Sequence, residues 1–154
     1  IEARSAMLTG SMMAGMAFAN APVAAVHALA YPLGGHFHVP HGLSNALVLA
    51  PVLRYNLSAA ERAYAELAQT LAPARQFSSD NAAATWLIET LTQLVARMPF
   101  AQTLSAVGVT ENDLDMLASD AMKVERLLIN NPRPMTWEAA RAIYAEQLGE
   151  HHGR

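Results

Sequence analysis

The sequence predicts an all-α protein, a helical bundle forming one domain over residues 1–154. Three observations carry that expectation. Apolar residues recur at helical spacing in segment after segment. Capping residues and helix stops punctuate the chain at intervals that suit ordinary helices. Strand-like alternation is absent except for a few residues around Phe37 to Val39, and no internal repeat or long linker divides the chain.

Taken in order, the first third is unusual. From Ser5 to Leu53 there is no Asp, Glu, Lys or Arg. Gly10, Gly15, Pro22, Pro32, Gly34, Gly35 and Pro40 cut this run into pieces shorter than the roughly 20 apolar residues that span a bilayer. The expectation is a pair of helices buried on all sides, with small residues such as Ala14, Gly15 and Ala28 letting backbones approach. One helix is APVAAVHALAY, and the next begins in PHGLSNALVLAPVLRYN. Ser58 with Glu61 reads as a capping box opening a new amphipathic helix. Asp80 reads as the cap of the following one, with Trp86, Leu87, Leu91, Leu94 and Val95 along its stripe and Pro99 ending it. After a turn near TLSAVGVT, Thr110 and Asp113 form another cap. The last helix starts at Thr136 and stops at Gly149.

The composition narrows the function. A formal charge of −3 and a pI near 6.0 argue against nucleic acid and anionic membranes as partners. Without cysteine there is neither a disulfide framework nor a thiolate metal site, which fits a cytoplasmic protein. The chain opens on Ile1 rather than Met, so an upstream portion is expected.

The informative stretch is HALAYPLGGHFHVPHGLSNA, residues 27–46, with His27, His36, His38 and His41 in a charge-free setting. A lone histidine in an apolar helix is more often a hydrogen-bonded core residue than a ligand. Four together are harder to explain by packing, because each buried imidazole needs partners. Pro32, Gly34, Gly35 and Pro40 place His27 near the end of one helix and His41 in the first turn of the next, with the glycines allowing a reversal. Helix, turn, helix brings the two rings together as a clamp for a metal ion, or as a proton-transfer pair. No carboxylate stands in the cluster, and no nucleotide loop or hydrolase motif occurs in the chain. The residues thus offer half a metal site. His151 and His152 fall at the chain end.

Residues 15–56 resemble the second signature of the iron-containing alcohol dehydrogenases, in the dehydroquinate synthase-like superfamily. LSAVGVTENDLDMLASDAM and INNPRPMTWEAARAIYAEQL resemble that family's C-terminal helices. The resemblance implies a two-domain enzyme. An N-terminal α/β domain, absent from this chain, binds NAD or NADP, and a helical C-terminal domain holds most of the metal site. It implies one Asp and three His around Fe²⁺, with Zn²⁺ possible. His27 matches the third ligand in chain order and His41 the fourth; the others would lie upstream of Ile1. Phe18 matches a position lining the substrate pocket. Tyr31 stands where many members carry a proton-moving histidine; tyrosine donates hydrogen bonds but is a poor proton shuttle at neutral pH. His36 and His38 align with a variable loop and receive no ligand role.

The implied reaction interconverts a small alcohol and its aldehyde or ketone, with the metal polarising the oxygen during hydride transfer. The resemblance implies a homo-oligomer, a dimer, and the chain alone is expected to be inactive. Two alternatives remain. One is an oxidoreductase similar to the maleylacetate reductases. The other is a stand-alone helical domain in which His27, His36, His38 and His41 hold a structural Zn²⁺.

Overall fold

The computed structural model describes residues 1–149; His151 and His152 lie outside them. Seven α-helices follow one another: α1 Glu2–Asn20, α2 Ala25–Phe37, α3 His41–Leu71, α4 Asp80–Ala96, α5 Leu114–Met122, α6 Glu125–Leu128 and α7 Trp137–Leu148. Among the described residues there is no strand, including around Phe37 to Val39. The all-α expectation holds.

The expected break between Pro32 and Pro40 falls later than the sequence suggests. Pro32, Gly34 and Gly35 all lie inside α2, so His27 is in its first turn rather than near its end. An interior proline costs about 3 kcal/mol in an isolated helix. Burial of Ala25, Ala28, Leu29 and Leu33, each fully covered, offsets that cost here. Tyr144 adds a hydrogen bond from its hydroxyl to the Leu29 carbonyl at 2.7 Å, fastening α7 to α2 one turn before the proline. The reversal is made by His38, in the left-handed region at φ 53°, followed by Val39 and Pro40.

Ser58 and Glu61 do not cap a helix. They sit within α3, which runs unbroken for 31 residues and includes Pro51. Asn56, Ala60, Tyr64 and Ala65 are buried on either side of Ser58, so packing carries the helix through a local start signal. Glu61 instead accepts from Asn81 at 2.8 Å. In α4 the cap is Ser79, whose hydroxyl accepts from the Ala82 amide at 3.1 Å, and Asp80 is the first helical residue. Its buried face is Ala83, Ala84, Leu87 and Ile88; Leu94, placed on the stripe by the sequence reading, is exposed. The helix ends at Ala96, ahead of Pro99.

Two signals at the C-terminal side hold as read. Thr110 and Asp113 form a reciprocal capping box ahead of α5, and Thr136 caps α7 through a bond from the Ala139 amide. Gly149 follows α7 with φ 77°, and a side chain there would collide with Thr103.

The core has two parts. The larger gathers α2, the first half of α3, α5 and α7 around Leu29, Leu33, Leu47, Leu117 and Tyr144. The smaller lies between the second half of α3 and α4, around Tyr64, Ala68, Ala84 and Leu87. Helix α1 departs from the expectation of full burial: it buries none of its residues, and Met7, Leu8, Met13 and Phe18 are exposed. No single helix of the described residues is long and apolar enough to cross a membrane. Helices α1 and α2 reach that hydropathy only as a pair, meeting at 108°.

Candidate metal centre

The site is built by the starts of two helices. His27 is the third residue of α2 and His41 the first of α3. The chain leaves α2 at His38 and folds back over Val39 and Pro40. Val39 closes this return by donating its amide to the Leu33 carbonyl at 3.3 Å. Ser44, buried on the first turn of α3, donates its hydroxyl to the carbonyls of Val39 and Pro40 at 3.2 Å each. These bonds fix where α3 begins, and therefore where His41 stands.

The imidazoles of His27 and His41 lie with centroids 5.3 Å apart and planes inclined by 54°. Two imidazoles bound to one tetrahedral ion through nitrogens about 2.1 Å from it have centroids about 5 Å apart, so this spacing suits a shared ion. Burial of His27, then the nearby His41 ring, hold the His27 pKa below its ordinary value of 6.5. Its neutral form, the form that binds a metal, is thereby favoured. Tyr31 follows His27 by one turn on the same face of α2, half-exposed, with its ring 6.4 Å from that of His41. The two imidazoles come together as expected, with Tyr31 beside His41, although His27 reaches the site from the beginning of its helix rather than near its end.

The other named residues do not join them. Phe18 is 57% exposed on α1. His36 is in the last turn of α2, not a loop, and its Nε2 meets Asp120 Oδ2 on α5 at 2.6 Å. Asp120 also receives Lys123 Nζ at 2.6 Å, and these two partners hold its carboxyl below the usual range, Lys123 more than His36. His38 is exposed at the reversal. Among the described residues no three His, Cys, Asp or Glu side chains are grouped closely enough to hold a metal ion. The four-histidine zinc clip is thus overturned: α2 stays helical to Phe37, and His36 is carried along it toward α5.

One further residue at the site escaped the sequence reading. Asn45, one turn beyond His41, sets its Nδ2 3.1 Å from His41 Nε2 and 3.0 Å from the His41 carbonyl. Its Oδ1 is buried and has no hydrogen-bond partner. The only sequence signal was its spacing of four from a histidine on a helix.

The donor set, two imidazoles with one held neutral, fits part of a site for a divalent transition metal such as Fe²⁺ or Zn²⁺. It would fill two positions of such a site.

Comparison with known proteins matches residues 1–148 to the Fe-containing alcohol dehydrogenase family, C-terminal. Long-chain-alcohol dehydrogenase 1 of Geobacillus thermodenitrificans is 41% identical over 143 residues, which is 93% of this chain and 36% of that protein. The 1,3-propanediol dehydrogenase of Citrobacter freundii is 38% identical over 86% of this chain and 34% of its own length. Among solved structures, an alcohol dehydrogenase from Oenococcus oeni superposes with a TM-score of 0.87 at 35% identity, over 95% of this chain and 38% of that one. The chain thus spans just over a third of the length of the relatives it matches.

Proposed function

The chain belongs to the Fe-containing alcohol dehydrogenase family, and on that premise we propose that it is the helical, metal-binding part of an NAD(P)-linked alcohol dehydrogenase. The intact enzyme interconverts an alcohol and its aldehyde or ketone. The observation that carries this reading is the meeting of His27 and His41, 14 residues apart in the chain, with ring centroids 5.3 Å apart.

His27 and His41 would hold the metal, Fe²⁺ or Zn²⁺. The chemistry such an ion supplies when bound is Lewis-acid polarisation of the alcohol or carbonyl oxygen during hydride transfer to or from a nicotinamide. The chain's own contribution is to prepare the setting. Burial keeps His27 neutral and ready to ligate. The segment from Ser5 to Leu53 carries no Asp, Glu, Lys or Arg, so none of its side chains competes with the metal's charge at the reacting oxygen. Tyr31, beside His41 and half-exposed, would donate a hydrogen bond to a substrate oxygen. Phe18 would line the substrate pocket once α1 is covered.

The nucleotide and the remaining ligands belong to an N-terminal domain. Its contact with this chain would use α1, which buries none of its residues and leaves Met7, Leu8, Met13 and Met16 exposed. The chain alone is then inactive, and the working form is an oligomer of the intact protein in the cytoplasm.

The test is NAD(P)-linked oxidation of small primary and secondary alcohols by the full-length gene product, stripped of metal and then given Fe²⁺ or Zn²⁺. Activity should return with metal and fall at least 100-fold in His27→Ala, as expected when a ligand is lost. Turnover indifferent to metal would instead favour a chemistry like that of the maleylacetate reductases. No turnover with any alcohol or metal would refute the proposal.

A further inference from the structure

The contacts of Asn45 carry information about His41 that neither residue gives alone. Its Nδ2 lies against both the His41 carbonyl oxygen, at 3.0 Å, and the His41 ring nitrogen Nε2, at 3.1 Å. The first contact orients the group. A carbonyl oxygen only accepts, so the carboxamide must face it with NH₂ and not with oxygen. The reverse orientation would set two oxygens against each other and leave a buried NH₂ without an acceptor. In the observed one the orphan is the buried Oδ1, and an under-satisfied carbonyl is the more tolerable orphan.

An amide NH₂ donates and does not accept. His41 Nε2 is therefore the acceptor, and the neutral ring carries its hydrogen on Nδ1. We propose that Asn45 is a positioning residue for the metal centre: it holds His41 in the Nδ1–H tautomer, which keeps Nε2 free of hydrogen and open to a cation once Asn45 yields it. Because Nδ2 carries two hydrogens, it keeps its bond to the His41 carbonyl when it yields Nε2. The start of α3 then stays in place as the metal enters. This inference rests on the reading of His41 as a ligand; the tautomer itself does not.

The experiment uses the full-length gene product, labelled with ¹⁵N at histidine only and free of metal, at alkaline pH. The two ring nitrogens of His41, assigned by their loss in His41→Gln, report which one carries the hydrogen. The wild type should show Nε2 unprotonated, and Asn45→Leu, of similar size without the donor, should shift His41 toward the Nε2–H form. Zn²⁺ added to the wild type should displace the Asn45 contact and move the Nε2 resonance. Asn45→Ala replaces Asn45→Leu where the latter fails to fold. An Nε2–H ring in the wild type, or the same tautomer in wild type and variants, would overturn the proposal. The expected tautomer with no Zn²⁺ at Nε2 would uphold the hold of Asn45 on the ring and overturn the ligand role of His41.

Discussion

His38 shows what a single residue does for the site. It closes α2 in the left-handed region at φ 53°, where an L residue stands about 1–2 kcal/mol above its right-handed state. Glycine removes most of that strain, while its freer unfolded chain takes back about 0.4–1 kcal/mol. His38→Gly should therefore stabilise the protein by about 0.5–1 kcal/mol, raising the melting temperature by about 2 °C for a chain of this size. A fall in melting temperature would mean that the imidazole itself holds the turn. Histidine tolerates this conformation better than most residues, which is why the turn escaped the sequence reading: Gly34 and Gly35 stood nearby as more obvious candidates. The meeting of His27 and His41 was legible because four histidines in an uncharged stretch demand an explanation. Asn45 was not, since an asparagine four residues after a histidine has no distinctive meaning until its two contacts are seen. The pairing of His36 with Asp120 joins residues 84 apart and left no local trace.

At the scale of elements, helix starts were legible where the signal is complete within three residues. The Thr110–Asp113 box and the Thr136 cap are of that kind. Ser58 and Glu61 show the same spacing of hydroxyl and carboxylate, yet α3 passes through them because its burial continues on both sides. The Asp113 carboxylate accepts from the Thr110 hydroxyl at 2.6 Å and from the Thr110 amide at 2.8 Å. These two bonds hold its pKa below the ordinary 3.8. A depressed folded value means a stabilisation fully present above the unfolded pKa and lost as pH falls through the folded one. Asp113→Ala should thus cost about 0.5–1 kcal/mol near neutral pH, in the range of lost helix caps. The difference from wild type should shrink as pH drops below 3.8. Urea denaturation of both proteins across that range measures it. A difference independent of pH would show that the charge of Asp113 contributes nothing to the start of α5.

At the scale of the whole molecule, α3 is the member that makes two packed regions one. Its 31 residues extend about 46 Å at 1.5 Å per residue. Leu47, Val48 and Val52 pack in the larger region, and Ala60, Tyr64 and Ala68 in the smaller. Between them Asn56 is buried against Asn131, each amide donating to the other at 2.9 and 2.7 Å. A helix cannot lose one half without exposing the packed ends of the other, so the two regions should unfold together. The two tryptophans make this measurable: Trp137 packs on the larger region and Trp86 on the smaller. In Trp86→Phe and Trp137→Phe, the remaining indole reports one region each, and the two urea midpoints should coincide. Leu117, fully buried in the larger region, then provides the coupling test. Leu117→Ala should cost about 2–5 kcal/mol and lower both midpoints equally, although Trp86 lies in the other region. Were only the Trp137 transition to move, α3 would be a tether between two independent cores. The site at its first turn would then draw its stability from α2, α5 and α7 alone.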